Sequence, residues 1–369
     1  MTSTYAAVLT GEGRGAISAI RVWGHGCAAI IDEIFQSRVG GAISTGLPGR
    51  LRVGTLGGDG GDEVVGVKLE EDPPVYEFQG HAGIAALSRS LDALRSQGVE
   101  ILEADQWLRT ARGDTLETQA LIDLKSAPTL PVAERLIDQS QGALSDALRE
   151  IHTPADLEHL ETLIDRGDFG CRMTTGWTVA LAGRPNVGKS SLLNVLLGFQ
   201  RAIVNPIAGT TRDQIRARAA VGGWPVDFID MAGIRHSDDP IEREGIERSE
   251  AAVANADLTL LIFDKSTELH AGDHELLRRY PNAVRVANKS DLSALWSPAA
   301  DFINVSARTA DGVSDLLEEI ERRIVPKVLP AGCAIPFRPG QVARLRRLRT
   351  TLERGERLPA DLPAWVASG

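Results

Sequence analysis

The sequence predicts an α/β protein in which a doubly wound mixed sheet is inserted in a helical domain, and a mixed α/β domain precedes both. Three observations predict this fold. A glycine-rich octapeptide, GRPNVGKS at 183–190, lies between an apolar run and an amphipathic segment. Five strand-like runs then alternate with helical patterns, and apolar stripes of helical spacing flank this region on both sides. We expect the domains to be 1–113, 114–171, 172–329 and 330–369, the second and fourth being one helical domain with a shortened second part.

The composition excludes several classes of protein. Of the 369 residues, 43% are hydrophobic, and the net charge of −10 argues against general binding to nucleic acid or acidic membranes. Three scattered cysteines match neither a metal-binding pattern nor a disulfide framework, which is typical of a reducing compartment. No apolar run approaches membrane-spanning length, and the first residues do not resemble a signal sequence. We therefore expect a cytoplasmic protein with no membrane partner.

The first domain has short strand-like runs separated by glycines. These runs cover 16–22, 51–56 and 64–69. Apolar residues with helical spacing follow Gly26 and recur across 84–94, which predicts two helices. The combination predicts a mixed α/β domain.

Helical patterns dominate the second domain. One apolar stripe between 132 and 151 predicts a first helix, and Thr153 with Pro154 predicts the start of a second helix that packs on the first as a hairpin. Residues 166–170, RGDFG, predict the end of that second helix. Beyond the third domain, 342–354 combines an apolar stripe with five arginines, which predicts a helix whose basic face is either solvated or binds RNA.

The third domain contains the strands of the predicted sheet. Its strand candidates are 179–182, 226–229, 258–263, 283–287 and 302–305. In a doubly wound sheet, ligands bind at the carboxyl ends of the strands.

The octapeptide follows the first of these strands. Gly183 and Gly188 let the backbone wrap around a phosphate group, Lys189 can reach the β and γ phosphates, and the hydroxyl of Ser190 can ligate Mg²⁺. The residues predicted to bind the phosphates are Asn186, Val187, Gly188, Lys189, Ser190 and Ser191.

Four further motifs follow in the order that a guanine nucleotide site requires. The loop 209–213, GTTRD, contains Thr210 and Thr211, one of which can sense the γ phosphate through Mg²⁺. Asp230 ends an apolar strand and can hold Mg²⁺ through water, while the N–H of Gly233 can contact the γ phosphate.

The last two motifs recognise the base. The carboxylate of Asp291 can accept two hydrogen bonds from the N1–H and the exocyclic amine of guanine, a pair that adenine does not offer. The predicted base contacts come from Asn288, Lys289, Asp291, Ser306, Ala307 and Arg308. Five motifs in this order, with strands in the expected places, predict a P-loop GTPase domain that binds GTP and GDP.

Further segments resemble one family of GTPases. Asn186 in the octapeptide, the loop 209–213 and the run 241–247, IEREGIE, resemble the tRNA modification GTPase family called MnmE or TrmE. Near the N-terminus, 13–24 and 77–83 are similar to further signatures of that family. The resemblance identifies a C-terminally shortened and divergent member, because the chain ends without the family's Cys-Ile-Gly-Lys.

The resemblance implies a mechanism. Members hydrolyse GTP to drive a conformational change in the modification of the tRNA wobble uridine, with Mg²⁺ and an activating K⁺. It implies Ser190 and Thr211 as Mg²⁺ ligands. The implied K⁺ ligands are Asn186, Asn205, Ile207 and Thr210. Because position 234 is isoleucine rather than a water-orienting glutamine, the implied catalytic residue is Glu242, acting through a bridging water.

The resemblance also implies partners. Members form homodimers, act on tRNA with a flavin-dependent partner enzyme, and bind formyl-tetrahydrofolate at positions that match Arg21 and Glu77. The family's lysine position is Thr115 in this chain, so one cation of that folate site is replaced by a hydroxyl. The alternative is a regulatory or assembly-factor GTPase that kept the scaffold and lost the tRNA chemistry.

Overall fold

A computed structural model of the protein describes residues 4–10, 15–58, 60–199, 216–230, 256–325 and 329–368. The chain divides into two compact units, Met1–Gly113 and Asp114–Gly369. Within the described ranges, every helix is too short or too polar to cross a membrane.

In the described part of the first unit, a mixed sheet is accompanied by three helices. Its elements are β1 (Tyr5–Val8), β2 (Ile17–Trp23), α1 (Cys27–Ile34), β3 (Phe35–Ser37), β4 (Leu51–Leu56), β5 (Asp62–Glu71), β6 (Pro74–His81), α2 (Ile84–Ser96), β7 (Glu100–Leu102) and α3 (Ala104–Arg112). The strand order is β3-β4-β5-β6-β2-β1-β7, and of the registered pairs only β1–β7 is parallel among the described residues. The predicted strands and both predicted helices of this region are confirmed.

The larger core of the first unit lies between one face of the sheet and its helices. In α1, the buried residues Cys27, Ile31 and Ile34 recur at helical spacing, so the helix presents one apolar stripe. They belong to a buried cluster that includes Phe78 of β6 and Leu94 of α2. Burial of this stripe, rather than intrinsic helix propensity, stabilises so short a helix.

The second unit contains a helical part and a second sheet. Its elements are α4 (Leu116–Leu124), α5 (Leu130–Ser140), α6 (Ala143–Arg149), a 3₁₀ turn (Pro154–Asp156), α7 (Leu157–Thr175), β8 (Trp177–Ala182), α8 (Lys189–Phe199), β9 (Arg216–Val221), β10 (Trp224–Asp230), β11 (Leu258–Asp264), α9 (Ala271–Arg279), β12 (Val284–Asn288), β13 (Phe302–Asn304), α10 (Val313–Ile324), α11 (Pro339–Glu353) and α12 (Leu362–Ala367).

The second sheet has the order β13-β12-β11-β8-β10-β9. All of its registered pairs are parallel except the hairpin of β9 and β10. The five predicted strands are therefore confirmed, and with them the mixed doubly wound sheet. The sequence analysis missed β9, which joins β10 through Gly222 and Gly223, both with positive φ.

The helical part departs from the prediction in two places. The apolar stripe predicted as one helix forms two, α5 and α6, because Gly142 between them is left-handed with φ of 105°. The predicted start of the next helix is confirmed: Thr153 and Asp156 cap it reciprocally. That helix, α7, packs chiefly on α11, so the hairpin expected with its predecessor is wrong.

The predicted helix end at 166–170 is also wrong, because α7 continues to Thr175. A Cβ added at Gly167 would lie 2.6 Å from Cγ2 of Val342, and one at Gly170 would lie 1.9 Å from the carbonyl oxygen of Pro336. Each glycine costs a helix about 1 kcal/mol relative to alanine. Here they allow the close approach of α11 and the segment before it, and this packing decides the local structure.

Three aromatic rings fix the point where α7 meets the second sheet. Phe169 of α7 lies 5.8 Å from Trp177, the first residue of β8, and 5.1 Å from Trp224, the first residue of β10, measured between ring centroids. The two tryptophan rings are 6.1 Å apart. Edge-to-face aromatic contacts of this kind stabilise packing by about 0.5–1.5 kcal/mol each.

The predicted arginine-bearing helix is confirmed as α11, and its apolar stripe is buried. Several of its arginines contact other parts of the unit. Arg344 lies over the ring of Trp365 in α12, Arg346 pairs with Asp168, and Arg349 pairs with Glu161. RNA binding by this basic face stays a prediction.

Candidate functional site

The glycine-rich loop connects β8 to α8 at the carboxyl edge of the second sheet. Gly183 has φ of 149°, and a Cβ there would lie 2.4 Å from the carbonyl oxygen of Ile262. Gly188 has φ of 95°, and its Cβ would lie 2.4 Å from Nδ2 of Asn288. Both positions therefore require glycine. Between them Asn186 also has a left-handed backbone, with φ of 65°.

The loop holds the side chain of Lys189 at its centre. Its Nζ donates hydrogen bonds to the carbonyl oxygens of Gly183 and Arg184, each at 2.8 Å. Only 6% of the residue is exposed, and this burial lowers the pKa of Lys189, against the attraction of Asp230. The ammonium group is thus placed inside the loop, where phosphate oxygens can replace the carbonyls.

The hydroxyl of Ser190, in the first turn of α8, faces the end of β10. Ser190 Oγ donates to Oδ2 of Asp230 at 2.5 Å. The two strands that lead to these residues are parallel neighbours, which brings their carboxyl ends together. A hydroxyl and a carboxylate are oxygen donors of the kind that Mg²⁺ prefers. The adjacent Ser191 is exposed.

Two side chains at the carboxyl end of β12 connect the glycine-rich loop to the base-recognition loop by hydrogen bonds. Asn288 Nδ2 donates to the carbonyl oxygen of Val187 at 2.8 Å, and Lys289 Nζ donates to that of Asn186 at 3.0 Å. The backbone N–H of Ala307 donates to Oδ1 of Asn288 at 3.1 Å. Three motifs that are distant in sequence therefore share one hydrogen-bond network.

The carboxylate of Asp291 lies in the same network. Its Oδ1 accepts from Ser306 Oγ at 2.6 Å, and its Oδ2 accepts from Arg308 Nε at 2.8 Å. The hydrogen bond from Ser306, followed by that from Arg308, holds the pKa of Asp291 below its usual range. The group is therefore an anionic acceptor at neutral pH, as recognition of two guanine donors requires.

The structure brings the phosphate and base motifs together, with Asp230 beside them. The remaining residues predicted for this site lie outside the described residues. They are Asn205, Ile207, Thr210, Thr211, Gly233 and Glu242.

Two acidic residues at this edge were missed by the sequence analysis. Arg184 Nε donates to Oδ1 of the buried Asp273 at 3.0 Å, which ties the glycine-rich loop to α9. Asp264 Oδ2 accepts from Lys289 Nζ at 2.5 Å. Asp264 ends an apolar strand, as Asp230 does, so the position of an acid at a strand end was a usable signal.

The residues predicted for folate binding meet in the first unit. Arg21 and Glu77 are opposite each other on β2 and β6 and form an ion pair. Burial raises the pKa of Glu77, but hydrogen bonds from Gln79 and Arg21 outweigh it and leave the pKa lowered. The guanidinium of Arg21 also lies 5.1 Å from the ring centroid of Trp107. Thr115, at the start of the second unit, caps α4 by accepting from the N–H of Thr118.

Fold and site together define a P-loop GTPase, and residues 178–289 match a family described as 50S ribosome-binding GTPase. The chain is 32% identical to the tRNA modification GTPase MnmE of Symbiobacterium thermophilum, over 99% of this chain and 94% of that protein. It is 33% identical to the MnmE of Geotalea uraniireducens, over 86% of this chain and 80% of that protein. The chain belongs to the tRNA modification GTPase MnmE family.

Among solved structures, Era of Aquifex aeolicus bound to GDP and an aluminium fluoride is 23% identical over 47% of this chain and 66% of that chain, with a TM-score of 0.32.

Proposed function

We propose that this GTPase couples hydrolysis of GTP to a conformational change that serves modification of the wobble uridine in tRNA. The observation that carries the proposal is the hydrogen-bonded junction of the phosphate and base loops in a chain that is similar, along nearly its whole length, to tRNA modification GTPases. The chain acts as a homodimer with tRNA and a flavin-dependent enzyme as partners. The division into 1–113, 114–171, 172–329 and 330–369 is part of this proposal.

Ser190 and Thr211 would hold Mg²⁺ directly, and Asp230 would hold it through water. The contact between Ser190 Oγ and the Asp230 carboxylate supports this assignment, because it places two oxygen donors beside the phosphate loop. A Mg²⁺ ion held by these residues would supply positive charge that offsets the charge of the nucleotide phosphates. Lys189 adds a second positive charge from inside the loop.

Asn186, Asn205, Ile207 and Thr210 would hold K⁺. Asn186 supports this assignment because the residue is exposed in the phosphate loop, and its contact with Lys289 uses the backbone carbonyl oxygen rather than the side chain. When bound, K⁺ supplies positive charge that favours the transition state of phosphoryl transfer.

Hydrolysis in equimolar KCl and NaCl tests the potassium proposal. We expect turnover to be about tenfold or more faster in KCl, because one electrostatic donor to a transition state contributes on this scale. In the Asn186→Ala variant the two salts should give similar rates while the affinity for GDP is retained. Equal rates in the two salts for the unaltered chain would contradict potassium activation.

Arg21 and Glu77 would bind formyl-tetrahydrofolate, which supplies a one-carbon unit when bound. Two buried donors support a ligand on this face of the sheet: Nε of Arg21 and Nε1 of Trp23 have no hydrogen-bond partner among the described atoms. Buried donors of this kind are normally satisfied by protein, water or ligand. Of the three positions matched to the family's folate residues, Arg21, Glu77 and Thr115, Arg21 is the one with a positive charge.

Two measurements separate the tRNA-modifying function from a purely regulatory GTPase. We expect formyl-tetrahydrofolate to bind in equilibrium dialysis, and expression of the chain to restore wobble-uridine modification in a strain that lacks its own MnmE. A Glu77→Gln variant should bind the folate about tenfold or more weakly, since a charged hydrogen-bond partner is lost. Retained GTPase activity with neither folate binding nor restored modification would favour the regulatory alternative.

A further inference from the structure

Asp264 is the last residue of β11 and belongs to none of the sequence motifs. It lies opposite Asn288 in the parallel pairing of β11 with β12, directly beside the base-recognition loop. It is only 9% exposed. A buried acid at the carboxyl edge of a doubly wound sheet, next to the ligand loops, is positioned to act on the site.

Three hydrogen bonds fix its carboxylate. Oδ2 accepts from Lys289 Nζ at 2.5 Å, and Oδ1 accepts from the backbone N–H and the Oγ of Ser266, at 2.9 and 2.6 Å. Burial raises the pKa of Asp264, but the bonds from Lys289 and Ser266 outweigh it and leave the pKa lowered, so the group is ionised at neutral pH.

The backbone of Asp264 is held separately from its carboxylate. Its carbonyl oxygen accepts from Nε1 of Trp296 at 3.0 Å, and the neighbouring N–H of Lys265 donates to the carbonyl oxygen of Asn288 at 2.9 Å. The side chain can therefore be changed while the strand end stays in place.

Lys289 links this acid to the phosphate loop. Its ammonium group donates both to Asp264 and to the carbonyl oxygen of Asn186, and its backbone is left-handed with φ of 62°. An ammonium group has three donors. Two are used by these contacts within the described residues, so the third can serve the nucleotide.

We propose that Asp264 is a positioning residue that fixes Lys289 across the phosphate and base loops and thereby slows the release of guanine nucleotides. Without the carboxylate, the described partner that remains for the Lys289 ammonium group is the carbonyl oxygen of Asn186. Nucleotide binding must then fix a more mobile side chain, which costs conformational entropy. Asp291 determines the preference for guanine, so a change at Asp264 leaves that preference unaffected. The inference rests on the assignment of Lys289 and Asn186 to the nucleotide site.

Stopped-flow release of fluorescent GDP from the Asp264→Asn variant tests this role. We expect release to be about tenfold faster, because the ion pair between Lys289 and a carboxylate is replaced by a weaker hydrogen bond from Lys289 to a neutral amide oxygen. The preference for GTP over xanthosine triphosphate should stay unchanged. The matched control is Asp301→Asn, which removes an exposed carboxylate paired with Arg285 elsewhere in the sheet, and it should release GDP at the original rate.

A double-mutant cycle separates positioning from general destabilisation. In a Lys289→Met background, Asp264→Asn should have no further effect on release, whereas independent structural damage would add to it. Ser266→Ala keeps the carboxylate of Asp264 but removes one of its hydrogen bonds, so it should accelerate GDP release by less. This variant replaces Asp264→Asn in the test if Asp264→Asn does not fold. Unchanged release, or additive effects in the cycle, would overturn the proposal. Failure of the unaltered chain to bind GDP would instead overturn the nucleotide site itself.

Discussion

The Asp291→Asn variant is expected to lose affinity for GTP by a factor on the order of 10²–10⁴, the loss for two charge-assisted hydrogen bonds. The same change should create affinity for xanthosine triphosphate. An amide offers one acceptor and one donor where the carboxylate offers two acceptors. Xanthine carries an oxygen where guanine carries the exocyclic amine, so the new amide donor meets an acceptor there. Competition titrations with a fluorescent guanine nucleotide measure both affinities.

Arg308→Ala is the matched control for this experiment. It removes the ion pair with Asp291 but leaves the carboxylate, which Ser306 still holds. The preference of this control for GTP over xanthosine triphosphate should persist. If Asp291→Asn kept the original preference, the assignment of Asp291 to guanine recognition would be wrong.

The Glu242→Ala variant is expected to bind GTP within a few-fold of the original affinity and to hydrolyse it more slowly by a factor on the order of 10²–10⁴, the usual contribution of a catalytic base. Position 234 is isoleucine, which cannot orient an attacking water, and we propose that Glu242 does so through a bridging water. Single-turnover hydrolysis and an independent binding titration separate the two quantities.

Glu244→Ala is the control for Glu242→Ala, because it removes the same charge two residues away in the same segment. It should leave single-turnover hydrolysis close to the original rate. Equal losses in both variants would indicate a general electrostatic effect, and unchanged hydrolysis in Glu242→Ala would remove Glu242 from the mechanism.

The phosphate and base loops could be located from the sequence because their requirements are local. The residue types that a phosphate loop requires all fall within eight positions, as Gly183, Gly188, Lys189 and Ser190. The phosphate and base loops each follow an apolar strand. The parallel sheet then brings strand ends together whatever the chain does between them. This is why Ser190 and Asp230, 40 residues apart, form a hydrogen bond in the structure.

Other features depend on contacts that a sequence pattern does not contain. Gly167 and Gly170 predict a helix end when considered locally, yet in α7 they are sites of close packing with the segment 336–342. The partnership of Asp264 with Lys289 likewise needs the pairing of β11 with β12, since neither residue alone indicates the other. The proposed role of Asp264 could therefore be inferred only after its contact with Lys289 was known.

The continuity of α7 has a mechanical consequence. The helix is 19 residues long and so spans about 28 Å, and only Gly176 separates its end from β8, the strand that enters the phosphate loop. Three aromatic rings pack against each other at this junction, those of Phe169, Trp177 and Trp224. Trp224 begins the strand that ends at Asp230. The helix is therefore connected to the sheet by a single residue. We expect a change in the orientation of β8 to reach α7 through Gly176 and then α11, on which α7 packs.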